Sequence, residues 1–165
     1  MATTKAPLKT PTDLTTNAAK TVAEALNGIL ADSYALYFKT KNFHWHVSGP
    51  HFHDYHLMFD AQAAQILATT DQIAERVRKT GNTTLRSIGD VGRHQSINDN
   101  DSEFVTPEDM LAELRDDNRK LVEALREAKD IVDDAKDNAT SGILDEWTDQ
   151  AEERAWFLFE ASRKN

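Results

Sequence analysis

An all-α bundle of four long helices, with one long crossover between the second and the third, is the fold class this sequence predicts. Three observations predict it. Four stretches repeat apolar residues with the 3.6-residue period of a helix. Only six glycines and four prolines occur in 165 residues, and no proline falls in the interior of a stretch. Residues 82–105 form a polar link too long for a hairpin, so they must carry the chain along the bundle's length.

Residues 1–16 are rich in threonine, with Pro7, Pro11, Lys5 and Lys9, and read as a mobile tail. Residues 17–165 then form a single bundle domain. The first helix runs from about Asn17 to about His46 with Val22, Leu26, Ile29, Leu30, Tyr34, Tyr37 and Phe38 on its apolar stripe. Gly49-Pro50 must stop it. The second runs from about His53 to Lys79, its stripe marked by Phe52, Tyr55, Phe59, Ala63, Ile66, Ile73 and Val77, and Gly81-Asn82 ends it. A short helix around Thr84–Val91 would shorten the unstructured part of the link. Thr106-Pro107-Glu108-Asp109 combines a capping hydroxyl, proline at the first position and acids in the first turn. It starts a third long helix that carries Met110, Leu111, Leu114, Leu121, Leu125, Ala128 and Ile131 to about Lys136. Residues 137–140 break it, and a fourth follows with Ile143, Leu144, Trp147, Ala151, Trp156 and Phe159.

Composition narrows the function. Hydrophobic residues at 39% and charged residues at 28% suit a folded helical domain. No apolar run approaches the ~20 residues of a membrane span, and no signal-peptide core is present, so a cytoplasmic location without membrane contact is expected. The absence of cysteine removes disulfides, zinc fingers and iron–sulfur ligation. A formal charge of −9 opposes broad nucleic-acid binding and attracts cations.

Five of the six histidines lie between His44 and His56, and the second helix then carries Asp60, Asp71 and Glu75. Imidazoles with carboxylates and no thiol are a ligand set for iron or another borderline metal. At about 100° per residue, His56, Asp60, Asp71 and Glu75 share an arc of roughly 100°. Asp60 and Asp71 are nevertheless roughly 16 Å apart along the axis, too far to share one ion within a chain. Two copies of this helix packed antiparallel about a two-fold axis bring Asp60 of one beside Asp71 and Glu75 of the other, making two equivalent sites. His44 joins from the end of the first helix, folded back at Gly49-Pro50. No histidine has Glu three residues before it, so the Glu-x-x-His pairs of an intra-bundle di-iron centre are missing.

The segments Lys41-Asn42-Phe43-His44-Trp45, Gly49-Pro50-His51-Phe52, residues 56–60 and residues 71–76 resemble the ferroxidase signature of the Dps family, the mini-ferritins of the ferritin-like superfamily. The resemblance covers roughly residues 17–160. It implies a ferritin-like bundle with His44, His56 and Asp60 from one subunit and Asp71 and Glu75 from its two-fold partner. It also implies a hollow dodecamer that oxidises Fe(II), with hydrogen peroxide or dioxygen as oxidant, stores Fe(III) mineral and protects DNA from oxidative damage. Ligand imidazoles bind metal in the neutral form, so acid should weaken binding.

Further residues carry two readings each. Trp45 is a redox relay beside His44 or an aromatic filling the dimer interface. His46 departs from the family pattern, and with His51 and His53 it makes either an additional ion site or a set of surface histidines. Asp145, Asp149 and Glu152 share a face of the fourth helix, and Asp130, Asp133, Asp134 and Asp137 end the third. They line an iron-entry pore or form a solvated face. Two alternatives to a ferroxidase stay open. A DNA-compacting protein would rely on Lys5, Lys9 and Lys20 and on Arg163 and Lys164, weak singly but multiplied by avidity. A zinc or copper buffer would use His44-x-His46 and His51-x-His53, and zinc competes at the same centre in vitro.

Overall fold

A computed structural model describes residues 8–164. Five helices follow in order: α1 (Thr16–His46), α2 (Phe52–Lys79), α3 (Ile88–His94), α4 (Pro107–Asp134) and α5 (Asn138–Ala161). Four are long and make the bundle; among the described residues there is no strand. Of the tail expected over residues 1–16, residues 1–7 lie outside the described residues. The remainder is anchored: Arg78 Nη2 donates to Leu8 O at 2.7 Å, and Thr15 caps α1 by accepting from Ala18 N.

Side-chain pairs fix the helix directions. Lys39, late in α1, meets Glu113 at 3.0 Å and Asp117 at 2.7 Å, early in α4. Arg76, at the end of α2, meets Asp137 at 2.9 Å at the start of α5. Helices α1 and α4 are therefore antiparallel, and the crossover has carried the chain back to the end where α2 began. Asp32, buried in α1, holds that crossover: it accepts from Ser96 N at 2.5 Å, Ser96 Oγ at 2.8 Å and Ile97 N at 3.0 Å. The core between the helices holds Leu26, Leu36, Phe43, Phe59, Ile66, Leu114, Leu125 and Leu144, each sealed from solvent. Full burial of such a side chain contributes about 1.5–3 kcal/mol, which is why the stripes decide the fold.

The helix starts follow their caps. Thr106 accepts from Asp109 N with Pro107 at the first position, as the sequence predicts. The short helix starts later than Thr84, because Ser87 accepts from Asp90 N and fixes the start at Ile88. Helix α4 stops at Asp134 rather than Lys136, where Lys136 turns left-handed at φ 58°. The break expected over residues 137–140 falls at 135–137, and Asp137 caps α5 by accepting from Thr140 N. Four residues placed on core stripes are exposed: Phe38 at 64%, Phe52 at 44%, Trp156 at 60% and Phe159 at 39%. Their contacts within the chain leave much of each ring uncovered: Phe38 meets Trp45 edge-on, Phe52 stacks on His56, and Trp156 meets Phe157. No described helix is long and apolar enough to cross a membrane.

Candidate metal centre

The α1–α2 turn builds the centre. Val47 leaves the helix in an extended conformation, and Gly49 takes φ +102°, a backbone state glycine adopts without a Cβ penalty. Phe52 N then bonds Gly49 O at 3.1 Å and α2 folds back along α1. This sets His44 against His56 with ring centroids 3.8 Å apart and planes at 16°. Each ring is tied to the other's backbone: His44 Nδ1 to His56 O at 2.7 Å, and His56 Nδ1 to His44 O at 2.8 Å. A carbonyl only accepts, so each Nδ1 carries the proton. Both Nε2 lone pairs are thereby presented outward, the orientation a metal-binding imidazole needs.

Asp60 lies one turn beyond His56, with Oδ1 3.8 Å from His44 Nε2. The same oxygen accepts from Lys41 Nζ at 2.7 Å. That hydrogen bond, then the ammonium charge, holds the Asp60 carboxyl below its ordinary range. Asp60 is half exposed, so solvent screening leaves the pair little to contribute to stability, and its main effect is to keep the carboxyl ionised. Lys41 escaped the reading of the sequence as part of this group; its position four residues before Trp45, one turn below the histidines, was the available signal.

Asp71 and Glu75 are exposed on the same face of α2, Glu75 paired to Lys79 at 3.6 Å. No group of three or more His, Asp or Glu side chains among the described residues is close enough to hold an ion. A single chain thus gathers His44, His56 and Asp60 loosely and leaves Asp71 and Glu75 apart. Around them runs an uncovered apolar strip: Phe38 at 64% and Trp45 at 55% exposure on α1, Leu57 at 52% and Leu67 at 40% on α2. Trp45 stands edge-on to Phe38 at 6.0 Å, with Lys41 Nζ 5.8 Å from its ring.

The family profile of the ferritin-like domain matches residues 23–163. A DNA protection during starvation protein of Brevibacillus brevis is 32% identical over 83% of this chain and 91% of its own length. One from Agrobacterium fabrum is 32% identical over 91% of this chain and 93% of its own. The chain belongs to the Dps family. Its fold matches a solved archaeal Dps homologue from Halobacterium salinarum with a TM-score of 0.90 at 26% identity, covering 99% of this chain and 93% of that one.

The remaining candidates of this Dps chain are dispersed. His46 Nδ1 faces Asn42, with O and Oδ1 both at 2.8 Å, beside a cavity of about 270 Å3 under Ser102–Val105. His51 packs on Tyr55 with centroids 5.6 Å apart, and His53 stands 3.5 Å from Asp54, both exposed. Of the two readings of His46, His51 and His53, the additional ion site is not assembled among the described residues of one chain, because each ring is turned to a different neighbour. On α5, Asp145 pairs with Lys129 at 2.9 Å and Glu152 with Arg126 at 2.5 Å, while Asp149 is exposed. Asp137 is buried as a cap, and Asp133 accepts from Ser141 Oγ, so these two are structural. The acidic face is therefore narrower than the sequence suggests.

Proposed function

We propose that this chain is an iron-storage and detoxification ferroxidase whose working unit is a two-fold dimer with two shared sites. His44, His56 and Asp60 come from one subunit; Asp71 and Glu75 of the partner subunit complete each site. The observation that carries this reading is the half-built centre. Two imidazoles are locked with both Nε2 atoms free beside an ionised carboxylate. The other two acids lie on the same helix face, roughly 16 Å (Asp71) and roughly 22 Å (Glu75) from Asp60 along the axis. Antiparallel pairing of two α2 helices closes that gap and covers Leu57, Leu67, Phe38 and Trp45 together.

The substrate is Fe(II). Nitrogen and carboxylate donors suit it, and the charges of the three carboxylates offset its own. Hydrogen peroxide is the expected oxidant, dioxygen the other. Two Fe(II) ions each give one electron, so that 2 Fe2+ + H2O2 + 2 H2O yields 2 FeOOH + 4 H+. Drawing the two electrons from paired ions avoids the one-electron cleavage that releases hydroxyl radical, and this protects DNA. The Fe(III) product is stored inside a hollow dodecamer, reached through openings where Asp145, Asp149 and Glu152 attract cations.

The test is the absorbance of Fe(III) as peroxide is titrated into protein with Fe(II), with particle mass measured alongside. Two Fe(II) per peroxide and a particle of twelve chains are expected. Asp71→Ala or Glu75→Ala should remove the rapid phase and leave helicity intact, since neither side chain packs in the core. Oxidation at the wild-type rate in either variant would overturn the site.

A further inference from the structure

Arg154, on α5, is only 3% exposed. Its Nε donates to Asn118 Oδ1 at 2.7 Å on α4, and its Nη1 to Gln65 Oε1 at 2.8 Å on α2. Both acceptors are neutral amides. A guanidinium carries five N–H donors, so the Nη2 end and one Nη1 hydrogen remain unused. Burial pulls the group down to about 10, with Glu153 opposing, so it is still a cation at neutral pH. No ion pair reaches it among the described residues. A buried charge without a counter-ion is costly, and structures normally supply one.

Two cavities meet at this side chain. The inner one, about 10 Å3, holds Gln150 Oε1, a fully buried acceptor with no partner, and has room for one water. The outer one, about 410 Å3, opens between α2 and α5 and is lined by Gln62, Gln65, Glu153 and Arg154 with Met58 and Phe157. Gln65 gives its oxygen to Arg154, and its Nε2 makes no hydrogen bond with a described residue. The groove thus has unused donors from two residues and a buried positive charge behind them. Gln65 and Met58 lie more than about 100° round α2 from Asp60 and Asp71, so the dimer contact proposed above leaves the groove open.

We propose that this groove is a binding site for a small tetrahedral oxyanion, inorganic phosphate foremost, held by Arg154 Nη1 and Nη2 with Gln65 Nε2. The guanidinium fork matches two oxygens of such an anion, which a spherical chloride does not offer. The site is independent of the ferroxidase reading.

Titration calorimetry of inorganic phosphate into the intact, metal-free protein at neutral pH, with ionic strength held by chloride, tests this. One saturable site per chain is expected. Glu153→Gln, which removes the one carboxylate that lines the groove among the described residues, should tighten binding several-fold, and Arg154→Gln should weaken it about ten-fold or more. Where Arg154→Gln fails to fold, Gln65→Glu decides. It sets a carboxylate on the guanidinium, and should raise Tm without phosphate while abolishing the phosphate-induced rise expected of the wild type. An adventitious ion only, meaning no saturable binding by the wild type or binding unmoved by Glu153→Gln and Gln65→Glu, would overturn the proposal.

Discussion

At the scale of single residues, Lys41 is the group whose role the geometry makes plain. Its ammonium sits 2.7 Å from Asp60 Oδ1 and depresses that carboxyl. An acid whose folded value lies below its unfolded one contributes its share of stability above the unfolded value. It loses that share as pH falls through the lower folded value. Lys41→Met should therefore move the Asp60 titration up toward the ordinary carboxylate range, read by carboxyl carbon NMR on the metal-free protein. An unmoved midpoint would mean that the pair is not formed in solution. The histidines act differently: their reciprocal ring-to-carbonyl bonds fix the tautomer before any ion arrives. Helical spacing put His56 and Asp60 on one face of the second helix, while His44 was added by the Gly49-Pro50 turn and the family resemblance. Lys41 stood within the signature segment, but its pairing was not legible because its partner lies on the next helix, beyond any local period.

Among the elements, the crossover depends on one buried group. Asp32 accepts from Ser96 N, Ser96 Oγ and Ile97 N. Asp32→Ala would strand two backbone donors and should cost about 3 kcal/mol in urea unfolding, close to the upper value for bonds to a charged group. A loss below about 1 kcal/mol would show that water replaces the carboxylate. The long helices were legible because their caps and stripes agree, as at Thr106 and Leu114. Residues such as Phe38 and Trp156 were not, because periodicity says that a position is apolar and nothing about which side finds a neighbour. The acidic side of α5 makes a conditional case. If Asp145 and Asp149 steer iron inward, replacing both with Asn should slow uptake most at low salt, since screening acts over about 8–10 Å at physiological ionic strength. Oxidation at saturating Fe(II) should change much less. Uptake curves that coincide with the wild type at every salt concentration would leave the face merely solvated, as the Lys129–Asp145 pair already hints for one of its members.

For the whole molecule, the proposed function requires that no chain oxidise iron alone. His44, His56 and Asp60 gather at one end of the α1–α2 pair, Asp71 and Glu75 face outward further along α2, and an apolar strip around them is uncovered. The sequence could state the split, since eleven residues of helix exceed any metal's reach, and the fold adds the strip that a partner would cover. Complementation between two dead variants measures the claim directly. A His44→Ala/His56→Ala chain and an Asp71→Ala/Glu75→Ala chain are each expected to be inactive. In a mixed dimer one site loses all four side chains and the other keeps all five. Random pairing makes half the dimers mixed, so co-refolding should restore about a quarter of the wild-type sites. The measurement is the initial rate of Fe(II) oxidation per chain, with mixed assembly confirmed by mass. A recovery near a quarter is the predicted result; mixed particles that stay as inactive as either parent would contradict a site shared between subunits.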